Sequence, residues 1–181
     1  MNQINNISRI QRVSRRFRIF FAILIFTVPM VDALFWLFFY DLSEAGQILL
    51  PLGELNHALS LHTRLLLFLT SLVPVGVVTF GMLILARLFH LYENGFIFSA
   101  KNVKYYRTLG YIAIAWTIAE FIFIPLSTLV VSQSSLLIPA TLAVGFRLID
   151  MVTLVIGVVV ILISWVMDEG RKLADESAYI V

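Results

Sequence analysis

Four long apolar runs, at residues 19–40, 65–90, 109–131 and 148–167, alternate with short polar stretches along the 181-residue chain. Each can form a transmembrane helix, which needs about 20 largely apolar residues to cross about 30 Å of hydrocarbon at about 1.5 Å per residue. The pattern predicts an all-α polytopic membrane protein, a four-helix bundle making one membrane domain over residues 1–181, without internal repeats or low-complexity segments. The first run exceeds the roughly 7–15 apolar residues of a signal peptide and no small-residue cleavage site follows it, so it reads as a span.

Three segments outside the runs carry patterns of their own. Ile7, Ile10, Val13 or Ser14, and Phe17 recur at helical spacing among arginines, which fits either a basic interfacial helix on anionic headgroups or an ordinary basic flank. Residues 48–61 are mildly apolar, contain Pro51 and Gly53, and are too short to span, which suits them to the interface. Asn94-Gly95 is a turn signal, and Ser99 stands at the N-cap position of a helix from Ala100 that carries Lys101, Lys104 and Arg107. This short cytoplasmic helix between spans 2 and 3 is expected to run directly into the third span.

Composition agrees with a lipid solvent: 60% of residues are hydrophobic and 13% charged, with mean hydropathy +0.96, against about 25% charged in a soluble domain. The absence of cysteine excludes disulfides, iron–sulfur clusters and thiolate metal sites. The formal charge is only +2, so its distribution matters more. Arg9, Arg12, Arg15, Arg16 and Arg18 precede the first run; Arg87, Lys101, Lys104 and Arg107 surround the second connection; Arg171 and Lys172 follow the fourth run. Only Arg64 and Arg147 fall on the other side, and eleven against two predicts that both termini and the connection at residues 91–108 are cytoplasmic. The expected location is the bacterial inner membrane, with a cytoplasmic tail at 168–181.

Ionisable groups in hydrocarbon cost at least about 2.5–3.5 kcal/mol each on insertion scales, so each needs a reason to be there. Glu120 is near the middle of the third run, Asp32 slightly outside the middle of the first, and Asp150 in the outer third of the fourth. Arg147 and Asp150 are three apart, close enough for a local ion pair that eases insertion. Asp32 and Glu120 lack a basic residue within a helical turn, so each requires a partner on another helix, a carbonyl, water or a proton, and a close pair would share a proton. Pro29, Pro74 and Pro125 interrupt three runs, each freeing a carbonyl one turn earlier, and Gly76 and Gly81 weaken the second run further. Such kinks either open a polar pocket beside Asp32 and Glu120 or are re-satisfied by neighbours, as is common in membrane helices.

His57 and His62 lie in the outer connection and His90 at an inner edge, and no pair of them has metal-helix spacing. No H-E-x-x-H, G-x-S-x-G, P-loop or dinucleotide fingerprint occurs. The sequence therefore reads as a non-enzyme without cofactor or metal and without direct nucleic-acid binding.

Two patches have a more specific pattern. Leu85-Ala86-Arg87-Leu88-Phe89, Tyr92-Glu93-Asn94-Gly95-Phe96-Ile97-Phe98-Ser99, Lys101-Asn102-Val103-Lys104 and Arg107-Thr108-Leu109-Gly110 resemble the DUF2975 family of small bacterial membrane proteins. The charged stretch Asp168-Glu169-Gly170-Arg171-Lys172-Leu173-Ala174-Asp175-Glu176 with its Tyr179-Ile180-Val181 ending is similar to that family's C-terminus. Ala100 and Lys101 stand where acidic residues are usual. The resemblance implies four helices and an unknown biochemical activity, and its members' frequent placement beside small helix-turn-helix regulators suggests such a regulator as a cytoplasmic partner.

Two functions compete. A sensor, regulatory or interaction protein would dock a partner through Gly95, Phe96, Phe98, Ser99, Asn102, Lys104, Arg107, Gly170, Glu176 and Ile180, with the spans as membrane-lipid anchor. A small transporter or ion-coupled permease subunit would use the intramembrane set Asp32, Glu120, Arg147 and Asp150. Four helices are few for a transporter unless the chain forms a homo-oligomer.

Overall fold

The computed structural model of the chain describes residues 2–39, 60–96, 99–134 and 148–178. Among these it is all-α. Helix α1 spans Asn2–Leu34 and passes into a π-helical stretch at Phe35–Phe39; α2 is Leu61–Glu93, α3 Ala100–Ser134 and α4 Leu148–Ala178. All four are long and apolar enough to cross a membrane. Each of the four apolar runs, the first as far as Phe39, falls within one of them. Large apolar side chains point outward along the shafts, with Leu148 80%, Phe26 79% and Val166 72% exposed, the inverse of a water-soluble surface.

The helix ends follow from local chemistry. The Ser60 hydroxyl accepts the Thr63 N–H at 3.2 Å and caps α2. At the other end of α2, the Gly95 N–H donates to the Tyr92 carbonyl and the Phe96 N–H to the Leu91 carbonyl, with Gly95 at φ +80°, a left-handed position that glycine takes at no steric cost. Ser99 then caps α3, its hydroxyl 3.4 Å from the Asn102 N–H.

Neighbouring helices are antiparallel: Phe17 meets Phe89 and Asp32 meets Ser71 between α1 and α2, while Thr117 meets the Asp150 carbonyl and Gly110 meets Gly157 between α3 and α4. The start of α1, the end of α4 and the turn at Gly95 therefore lie at one end of the molecule, here the terminal end. α1 packs on α2, α2 on α3, and α3 on α4; among the described residues α1 and α4 do not meet. The four-helix bundle is thus open between α1 and α4 among the described residues. α4 explains this, because it buries only a narrow stripe, Asp150, Gly157 and Ser164, spaced by seven residues. At the distal end, Trp36 of the π stretch packs with Leu67 of α2 and Phe123, Ile124 and Val131 of α3 in a buried cluster.

Two expected segments turn out to belong to longer helices. The basic N-terminal segment is not a separate interfacial helix, since residues 9–18 continue α1 without a break and turn one face onto the end of α2. The helix expected from Ala100 does run directly into the third span, as one continuous element Ala100–Ser134. Of residues 48–61, only Ser60 and Leu61 are among those described, and they begin α2.

Candidate functional site

Asp32 is built into the α1–α2 seam. One turn along, Trp36 Nε1–H donates to Asp32 Oδ1 at 3.2 Å, and from α2 the Ser71 hydroxyl lies 2.8 Å from Oδ2. The same hydroxyl is 2.8 Å from the Phe68 carbonyl. A serine has one proton to give, so an ionised Asp32 makes these two acceptors compete for it. The indole is buried and sets its ring edge-on to Phe123, 6.4 Å between centroids, so that one tryptophan ties the carboxylate to α3 through apolar packing.

Glu120 and Asp150 are both buried, and neither is an isolated charge. Glu120 stands one turn beyond Thr117 on α3, and the Thr117 hydroxyl donates toward the carbonyls of Ala113 on its own helix and Asp150 on α4, at 3.3 and 3.4 Å. Asp150 lies in the first turn of α4, where a carboxylate also complements the helix dipole. Asp32 thus draws one partner from its own helix, Trp36, and one from α2, Ser71. Arg147 lies outside the described residues.

The terminal end gathers a second group. Glu93, at the end of α2, faces Arg18 at 3.1 Å and Arg15 at 3.9 Å, and Arg18 Nη1 donates to His90 Nδ1 at 3.1 Å. Phe89 stacks on Phe17 at 5.1 Å and on Phe21 at 5.6 Å, while the Tyr92 and Tyr106 hydroxyls, 2.7 Å apart, join α2 to α3. On α4, Arg171 pairs with Asp175 at 2.9 Å and Lys172 with Asp168 at 3.4 Å, all within one helix.

The residues expected to dock a partner divide into frame and surface. Gly95 supplies the turn and Ser99 the cap. Asn102 is fully buried, and its amide donates to the Phe96 carbonyl at 2.7 Å, closing the connection. Arg107 is half-buried. Phe96, Lys104, Gly170 and Glu176 are exposed. Phe98 and Ile180 lie outside the described residues. Sequence reasoning missed Ser71, Trp36, Gly157 and Ser164. A signal for the last two was present in the seven-residue recurrence of small or polar side chains through an otherwise bulky apolar run.

Long outward-apolar helices with paired polar groups in their seams define a multi-pass α-helical membrane protein. The chain belongs to the family described as Protein of unknown function (DUF2975), which matches residues 24–181. No curated protein and no solved structure matches it significantly.

Proposed function

We propose that this is a bacterial inner-membrane protein with both termini in the cytoplasm, acting as a sensor or regulatory protein that docks a cytoplasmic partner on its terminal end. The observation that carries this reading is the length of the helices there. Helices of 33, 35 and 31 residues are about 46–52 Å long, against about 30 Å of hydrocarbon. The surplus falls mainly where eleven of the thirteen basic residues collect, so the row stands out of the lipid as a rigid, charged platform. Its frame is held by the Asn102 amide on the Phe96 carbonyl and by the Tyr92–Tyr106 hydroxyl contact, leaving Phe96, Lys104, Leu173 and Glu176 facing outward. By family analogy the partner is a helix-turn-helix regulator.

Deleting residues 175–181 is expected to abolish association with that regulator in a bacterial two-hybrid assay and to change transcription of the regulator's targets. An unchanged interaction and an unchanged transcriptional response would sink the reading. The permease alternative rests on Asp32 and Glu120 lying buried or half-buried. Asp32→Asn and Glu120→Gln leaving flux in reconstituted vesicles untouched would remove it.

A further inference from the structure

Arg87 of α2 and Lys101 and Lys104 of α3 converge on one cavity of about 420 Å³ at the terminal end of the α2–α3 seam. All three are exposed, and among the described residues none has an acidic partner. Arg18, Arg171 and Lys172, by contrast, are all paired. Among the described residues no carboxylate lines the cavity; its remaining walls are Phe80, Ile84, Tyr105 and Thr108. The first turns of α3 also bring the positive end of a helix dipole to the same place. Such a site has the chemistry of an anion receptor.

The cavity continues. Phe80 and Thr108 also line a second space of about 510 Å³ that follows the α2–α3 groove toward the distal end, between Val73, Gly76 and Val77 on one side and Tyr111, Ile112 and Ala115 on the other. This groove is apolar nearly throughout. Gly76 opens it: a Cβ there would meet nothing within 4 Å. From Arg87 to Val73 the seam runs 14 residues, about 21 Å, compared with about 15 Å for half the hydrocarbon core of a bilayer.

A basic pocket at the membrane edge that opens into an apolar groove one leaflet long matches a molecule with an anionic head and a long apolar chain. We propose that the α2–α3 seam binds an anionic phospholipid, with its phosphate among Arg87, Lys101 and Lys104 and an acyl chain along Gly76 and Ala115. A free anion would use the basic cavity and leave the groove without a role. The proposal is independent of the docked regulator, because neither binding partner nor tail enters it.

The test uses the full-length protein purified in a mild neutral detergent, with lipid binding counted by native mass spectrometry and by thermal shift. The probes are dioleoyl phosphatidylglycerol, dioleoyl phosphatidylcholine and inorganic phosphate. Phosphatidylglycerol is expected to bind at least about tenfold tighter than phosphatidylcholine, and the triple variant Arg87→Gln, Lys101→Gln, Lys104→Gln to lose roughly 100-fold of that affinity. Gly76→Leu, which fills the groove without striking backbone, is expected to weaken the lipid about tenfold while leaving phosphate binding unchanged. Equal binding of the two lipids overturns the proposal. So does binding of phosphatidylglycerol that phosphate displaces and Gly76→Leu does not affect, since that describes an anion site without a chain. If a variant does not elute as a single species, the comparison of the two lipids and phosphate on the unaltered protein decides alone.

Discussion

The α1–α2 and α3–α4 seams are both antiparallel helix pairs in the same apolar chain, but they are fastened by different means. Between α1 and α2, large side chains do the fastening: Phe17 and Phe21 on Phe89, Arg18 on Glu93, Trp36 and Ser71 on Asp32. Between α3 and α4, beside the Thr117 hydroxyl on the Asp150 carbonyl, the backbones approach closely at a pair of glycines. A Cβ on Gly110 would fall 2.7 Å from the Gly157 carbonyl and collide with Ile161, and one on Gly157 would lie 2.9 Å from the Gly110 carbonyl. Lipid tails are as apolar as leucine, so apolar area alone gives two membrane helices little reason to associate. Interlocking polar and aromatic groups supply that reason in one seam, and direct backbone approach supplies it in the other.

The strongest way to break the comparison is to add volume at the glycine contact. Gly110→Leu and Gly157→Leu are expected to force α4 from α3, costing at least the roughly 1–3 kcal/mol of ordinary overpacking, because carbonyl oxygens rather than flexible side-chain ends stand in the way. Thermal unfolding in detergent should show a large loss for both variants. Gly76→Ala on the same row should show none. The chain has no native cysteine, so a Phe17→Cys, Phe89→Cys pair can report the other seam, and its crosslinking should survive Gly157→Leu. Loss of that crosslink would mean that the two seams are one cooperative unit.

A smaller effect separates the roles of charge and hydrogen bonding at Asp32. Asp32→Leu leaves the buried Trp36 N–H without its acceptor, which costs about 1–3 kcal/mol. Asp32→Asn keeps the arrangement: the amide oxygen accepts from Trp36, and the amide nitrogen donates to Ser71, whose own proton is then free for the Phe68 carbonyl. Unfolding of Asp32→Asn should therefore match the unaltered protein within about 0.5 kcal/mol, while Asp32→Leu falls well below it. Equal losses for both variants would show that the ionised carboxylate itself matters, in favour of the permease reading.

The two seams were not equally legible in the sequence. Apolar run length gave the four helices, because crossing lipid requires a number of residues that composition displays directly. Asp32 stood out for a related reason, as an ionisable group among large apolar ones. Its partners did not, since Ser71 and Trp36 are ordinary residues in such helices and only the register of α1 against α2 brings them together. Gly157 and Ser164 were legible in principle, as small residues seven apart with Asp150, but glycine is too common in membrane helices for one position to draw notice. In the sequence, the patterned stretch around Gly95 and Asn102 reads as a docking surface. In the structure, much of that pattern builds the turn: a left-handed glycine, a serine cap and a buried amide closing the connection.

The smallest expected effect tests whether charge fastens the α1–α2 seam or merely decorates it. Glu93 faces Arg18 at 3.1 Å and Arg15 at 3.9 Å, but its Oε2 lacks an aligned hydrogen-bond donor among the described residues, so the attraction is one of charge rather than direction. The arginines are partly or largely open to solvent, and pairs of that kind contribute about 0.2–1 kcal/mol. Glu93→Gln should lower the unfolding midpoint slightly at low salt, and the difference from the unaltered protein should close as salt approaches about 1 M, where the screening length falls to about 3 Å. Phe89→Ala removes the rings' shared contact, which salt does not screen, so its loss should persist at every ionic strength. If Glu93→Gln instead costs as much as Phe89→Ala and resists salt, the ion pair is the principal fastener at the terminal end and the aromatic stack is secondary to it.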